Sequence, residues 1–200
     1  MREFRLVWFG GLVNDTGDWL LRIALPVFVF IETGSGSATA VLFVVELVVA
    51  TVVGPIGGSL IDRWNLRRAL VATNLLQAIT LVPLLAVSAE RVWPAYLVLA
   101  VQALLTQINN PASVALLPRV VPSEQLAVAN AANSTSKSLA RLVGSPLGGV
   151  VVAIGGLDAV VLIDGLSFLA VAVAVSLIRT DTSNRPIDDA VLEAPSAGVI

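Results

Sequence analysis

Two stretches of this 200-residue chain carry no charge: residues 69–89, 21 long, and residues 92–118, 27 long. The hydrocarbon core of a bilayer, about 30 Å thick, is crossed by about 20 apolar residues of helix, so each run is long enough to span it. Only 13% of the residues are charged, against roughly 25% in an average soluble domain, and 56% are hydrophobic. The fold class this dictates is an all-α integral membrane protein.

The same inventory removes several chemistries. The chain has no Cys and no His. That excludes disulfides, thiol nucleophiles, thiolate or imidazole metal sites and a Ser-His-Asp triad. The net charge of −2 offers no basic field for nucleic acid. No cofactor, metal or enzyme activity is expected. The first apolar stretch contains acids and lacks a small-residue cleavage site, so it reads as a retained helix rather than a signal peptide.

Charges and Gly/Pro punctuation divide residues 1–179 into six transmembrane helices, about 4–31, 38–61, 69–88, 94–117, 124–154 and 158–178. Pro118 and Pro122 are expected to break the chain before the long fifth span. Residues 180–200, polar and acidic with Pro186 and Pro195, read as a cytoplasmic tail or linker. Arg2, Arg5, Arg63, Arg67, Arg68, Arg119, Arg179 and Arg185 fall on one side of the spans and Arg91 on the other. The positive-inside rule then places both termini in the cytoplasm, with the protein multi-pass in the cell membrane. GPIGG (54–58) in the second span and GSPLGG (144–149) in the fifth occupy matching places if the spans form two inverted three-helix repeats.

Polar residues recur at helical spacing inside these apolar spans. The first carries Asn14, Asp15, Asp18 and Arg22, and the third Thr73, Asn74 and Gln77. The fourth carries Gln102, Thr106, Asn109, Asn110 and Ser113; the fifth carries Asn130, Asn133, Ser134, Lys137 and Arg141. A charge at mid-bilayer costs at least about 2.5 kcal/mol, so such groups face a cavity or each other. At a rise of about 1.5 Å per residue, Asp15 and Asp18 match Lys137 and Arg141 in depth, and Arg22 matches Glu46. With Asp164 the buried acids outnumber the buried bases by one, and a carboxyl taken out of water has reason to bind a proton. These residues are the candidate substrate pathway and proton-coupling set. Two plainer readings stay open: the ion pairs fix helix registry, and the fourth-span amides are interhelical hydrogen-bond glue.

The loop GGSLIDRWNLRRAL joins the second and third spans. Gly58, Asp62, Arg63, Arg67 and Arg68 suit a latch whose ion pairs break and re-form as helices rock. An anchor by positive charge explains Arg67 and Arg68 but not Gly58 and Asp62 at this spacing. The segment resembles the signature loop of the major facilitator superfamily, G-x-L-a-D-R-x-G-r-R, with Asn65 in place of the second glycine and Leu66 at a position that is commonly basic. Gly144, Pro146, Gly148 and Gly149 resemble the family's G-P-x-x-G-G packing motif, with Ser145 inserted. GDWLLRIALP and NNPASVALLPRVVPSEQLAVANA are similar to its branch of macrolide-efflux and enterobactin-export proteins. The resemblance implies alternating-access, usually proton-coupled, efflux of drug-like or siderophore-like molecules. It also implies twelve spans in two halves, so the expected partners are the lipid bilayer, a small-molecule substrate, and a C-terminal six-helix half or a second copy. Uptake by the same fold, a non-transporting scaffold or partner-dependent subunit, and an intramembrane diaspartyl enzyme are the competing readings. The last needs acids on two facing helices, whereas Asp15 and Asp18 share one.

Overall fold

The computed structural model describes residues 2–61 and 64–178. Asp62 and Arg63 of the latch loop, Arg179 and the 180–200 tail lie outside the described residues. Five α-helices are present among the described residues: α1 (Arg2–Thr33), α2 (Gly36–Ile61), α3 (Leu66–Thr80), α4 (Trp93–Val120) and α5 (Leu126–Ser176). Gly36–Pro55, Leu66–Ala86 and Ser123–Ser176 are, by length and composition, able to cross a membrane, the last long enough to do so twice.

Local chemistry sets the breaks. After Thr33 the backbone turns at Gly34 (φ 61°), and the Ser35 hydroxyl accepts the Ala38 N–H at 3.2 Å to start α2. Asn65, where the signature loop has glycine, is the N-cap of α3, its Oδ1 accepting the Arg68 N–H at 3.1 Å. The third span is α-helical only to Thr80 and continues as a 3-10 turn, Val82–Ala86, through Pro83, which has no N–H to extend the helix. Pro118 does not break α4 as expected: it sits in the last turn, leaving only the Val114 carbonyl without its helical donor, and the chain turns at Val121 and Pro122. The 51-residue α5 is two limbs, 126–155 and 157–176, joined at Gly156, whose φ of 67° and ψ of −170° only glycine adopts readily.

Contacts give each limb a direction. Gly144 lies against Thr16 and Trp19, and Gly148 against Leu20 and Ile23, so the first limb of α5 runs parallel to α1. Gly17 meets Asp164 and Ser167 while Gly10 meets Val171 and Ala174, so the second limb runs antiparallel to it. α5 therefore clasps α1 between its limbs. The Tyr96 hydroxyl donates to the Ala38 carbonyl and Gly54 approaches Gln107, making α2 and α4 a second parallel pair. α3 runs against α4 through Gln77 and Gln102, and against the second limb of α5 through Arg67, which donates to the Ser176 carbonyl. Successive segments thus alternate in direction, and residues 2 and 178 lie at one end of the bundle.

Burial is inverted relative to a water-soluble bundle. Ile154, Val128 and Leu142 are more than 70% exposed, whereas Asn74, Gln77, Gln102, Ser136, Asp164 and Ser167 are buried. Two apolar clusters close the ends. One, around Leu25, Leu42, Leu84, Ala95 and Val160, lies far from the termini; the other, around Leu66, Leu116, Ala129 and Ile178, lies beside them. The polar residues form a layer between the two.

Candidate functional site

That layer lines a cavity of about 260 Å³, open on the side where Asn110, Asn130, Ser134 and Lys137 are exposed. α1 contributes Trp8, Asn14, Asp15 and Asp18; α3 contributes Asn74 and Gln77; α4 contributes Thr106, Asn109, Asn110 and Ser113. The first limb of α5 adds Asn130, Asn133, Ser134 and Lys137, and its second limb closes the wall with Val171, Ala174 and Val175. Each helix presents one stripe, because residues three and four apart stack on one face. Of the sequence-derived pathway set, Asp15, Asp18, Asn109, Asn110 and Lys137 meet here, while Arg22, Glu46, Gln102 and Arg141 do not line it.

The α3–α4 wall is a hydrogen-bonded amide network. Gln102 Nε2 donates to the Gln77 carbonyl at 2.9 Å, and Asn109 Nδ2 donates to Thr73 Oγ1 at 3.0 Å. Ser113 donates to Asn109 Oδ1 at 3.3 Å. The fourth-span stripe is thus divided: Gln102 is glue, Asn109 is both glue and lining, and the exposed Asn110 faces the cavity. Asn74, 1% exposed, gives Nδ2 to the Leu70 carbonyl at 2.7 Å, and its Oδ1 has no partner among the described residues. Asn14 donates to Asp18 Oδ2 at 3.3 Å and likewise leaves Oδ1 unpartnered; Trp8 Nε1 is an unpartnered donor.

Charges fall into three groups. Asp15 lies within electrostatic reach of Lys137, and Asp18 within reach of Asp15 and Asp164. The expected pairing of Asp15 and Asp18 with Lys137 and Arg141 is not closed: no ion pair joins them among the described residues, and Arg141 lies over the Trp19 ring, 5.1 Å from its centroid. Arg22 does pair with Glu46, at 2.5 Å, and also lies over Trp19 at 5.0 Å. Asp164 is fully buried on the far side of α1, its Oδ1 accepting from Ser167 at 3.4 Å.

Glycines set how close the walls come. A Cβ at Gly144 would lie 2.7 Å from the Thr16 carbonyl oxygen, and one at Gly148 2.5 Å from that of Leu20. The exposed Pro146 and the half-buried Gly149, at which an added Cβ would meet nothing within 4 Å, take no part in this contact. Of the latch loop, Gly58 is in the α2 helix, Arg67 holds the end of α5, and Arg68 is exposed. Gly10 and Gly17, seven residues apart on one face of α1, were legible as a small-residue stripe but are absent from the sequence-derived set. Trp8 gave no signal, since a lone indole in an apolar span reads as lipid-facing.

Comparison with known proteins adds the final observations. A family model described as Major Facilitator Superfamily matches residues 7–197. The chain is 24% identical over 180 residues to macrolide efflux protein A of Streptococcus pyogenes, covering 88% of this chain and 44% of that protein. It is 28% identical over 211 residues to the multidrug efflux pump Tap of Mycolicibacterium fortuitum, covering 98% and 50%. A similar match, 23% identical over 170 residues, is to the MFS-type transporter YfiS of Bacillus subtilis. The chain spans about half the length of the curated relatives it matches.

Proposed function

The chain belongs to the major facilitator superfamily, a family of transporters rather than enzymes, and from that premise we propose that it forms one six-segment half of an efflux transporter. It sits multi-pass in the cell membrane with both termini cytoplasmic, and moves drug-like or siderophore-like molecules outward by alternating access coupled to protons. A second six-helix half, or a second copy, completes the pathway.

The observation that carries this reading is the polar cavity lined by one stripe from each of α1, α3, α4 and the first limb of α5. A polar compartment in mid-bundle, where the segments of the two repeats meet, is where alternating access places a substrate. On this reading Asp15, Asp18, Asn109, Asn110 and Lys137 contact substrate. Arg22, Glu46 and Arg141 hold the walls beside it, and Gln102 ties α4 to α3. Gly58, Asp62, Arg63, Arg67 and Arg68 govern the cytoplasmic closure. The names of the two efflux relatives support the outward direction.

Counterflow of a fluorescent cationic amphipath in proteoliposomes tests the proposal. Wild-type protein exchanges substrate, and Asp18→Asn abolishes the pH dependence of that exchange. No exchange by this chain, alone or joined to a second half, removes the transport reading; unaltered pH dependence in Asp18→Asn removes Asp18 from the coupling.

A further inference from the structure

The cavity has two walls of opposite charge that do not touch. α1 presents Asp15 and Asp18, and the first limb of α5 presents Lys137. The two segments run parallel, and the seating of Gly144 against Thr16 and Trp19 puts Lys137 about one turn nearer the termini than Asp15 and about two turns nearer than Asp18. Yet among the described residues no Lys or Arg lies within ion-pair distance of either carboxyl group. Lys137 is exposed. Charges kept only to fix registry would be closed on each other, as Arg22 and Glu46 are, whereas here the acidic wall is left without a contact ion pair.

Polar atoms between the walls point the same way. Asn74 lines the cavity from α3 and Asn14 lines it from the acidic wall, and the Oδ1 of each has no partner among the described residues. Two free acceptors in a cavity with two carboxyls suit a multiply donating cation such as an ammonium group. Across the cavity, the Lys137 ammonium suits a carboxylate. We propose that the cavity takes zwitterionic amphipaths, with the ligand's ammonium on Asp15, Asp18 and the two asparagines and its anionic group on Lys137. The ligand closes the gap that the protein leaves open. This deepens the transport reading by naming the charge pattern of the substrate, and it rests on the cavity being the substrate site.

The test is equilibrium dialysis of the chain in lipid nanodiscs against three probes: norfloxacin, which carries both charges; its ethyl ester, which is only cationic; and its N-acetyl derivative, which is only anionic. Norfloxacin is expected to bind about tenfold more tightly than either derivative. Lys137→Gln brings norfloxacin to within about twofold of the ester, and Asp18→Asn brings it to within about twofold of the N-acetyl compound. Equal affinity of wild-type protein for norfloxacin and its ester overturns the proposal, as does a gap that survives in Lys137→Gln. The wild-type comparison needs no variant to fold. Counterflow that fails for all three probes while the binding gap persists sinks the transport reading alone. Counterflow that carries norfloxacin and its ester equally sinks this inference alone.

Discussion

Two parallel helix pairs, α1 with the first limb of α5 and α2 with α4, hold corresponding places in the bundle, yet their contacts differ in kind. In the first, Gly144 and Gly148 bring backbone against backbone, with no room for a methyl group. In the second, a Cβ at Gly54 would meet only the Gln107 side chain, at 3.4 Å, and the Tyr96–Ala38 hydrogen bond ties the far ends. Both pairs carry the G-x-x-G-G-like strings that read as a repeat, but Gly144 and Gly148 of one make a tight seam while Gly54 of the other sits more loosely. Bilayer lipid gives helices no hydrophobic reason to associate, so close van der Waals approach is what holds such a seam. The difference makes α1 and α5 the fixed frame of the cavity, and α2 the segment freer to shift against its neighbour.

The largest effect that tests this contrast is at Gly148. Gly148→Leu forces side-chain atoms into the Leu20 carbonyl and Ile23, and is expected to abolish recovery of folded protein, measured by fluorescence-detected gel filtration. Gly148→Ala is expected to destabilise by about 1–3 kcal/mol on unfolding in mixed micelles. Gly17→Ala comes next. Its Cβ would meet the Asp164 and Ser167 side chains rather than backbone, so the loss should be smaller and partly restored by adding Ser167→Ala. The Arg22–Glu46 pair, with Arg22 about half exposed at 49%, is expected to couple α1 to α2 by at most about 1 kcal/mol in a double-mutant cycle. Smallest is Gly54→Ala, expected to change stability by less than about 0.5 kcal/mol. A Gly54→Ala loss equal to that of Gly148→Ala would erase the distinction between the two pairs.

Depth was legible in the sequence and azimuth was not. A helix advances by a fixed rise, so the uncharged runs located the helices α3 and α4, and equal depth was enough to pair Arg22 with Glu46. Polar spacing likewise located the cavity stripes of α1, α4 and α5. What a stripe faces depends on how its helix is rotated against neighbours far away in sequence. Hence Gln102 bonds to α3 instead of lining the cavity, and Arg141 lies on Trp19 instead of an acid. The reach of α4 past Pro118 escaped sequence reading for a local reason. Proline near a helix end leaves a single carbonyl without its donor, too small a penalty to stop the helix there.

The clasp of α1 between the limbs of α5 also sets an order of events during synthesis. α1 leaves the ribosome before α5, carrying Asp15 and Asp18, and the limbs that cover it are made roughly 130 residues later. At about 5–20 residues per second, that delay is on the order of ten seconds. Throughout it, two carboxyl groups in the first segment lack the walls of their cavity. The insertion machinery must shelter this helix at the protein-conducting channel, or let it leave late, until Gly156 has turned the chain back and the frame can close.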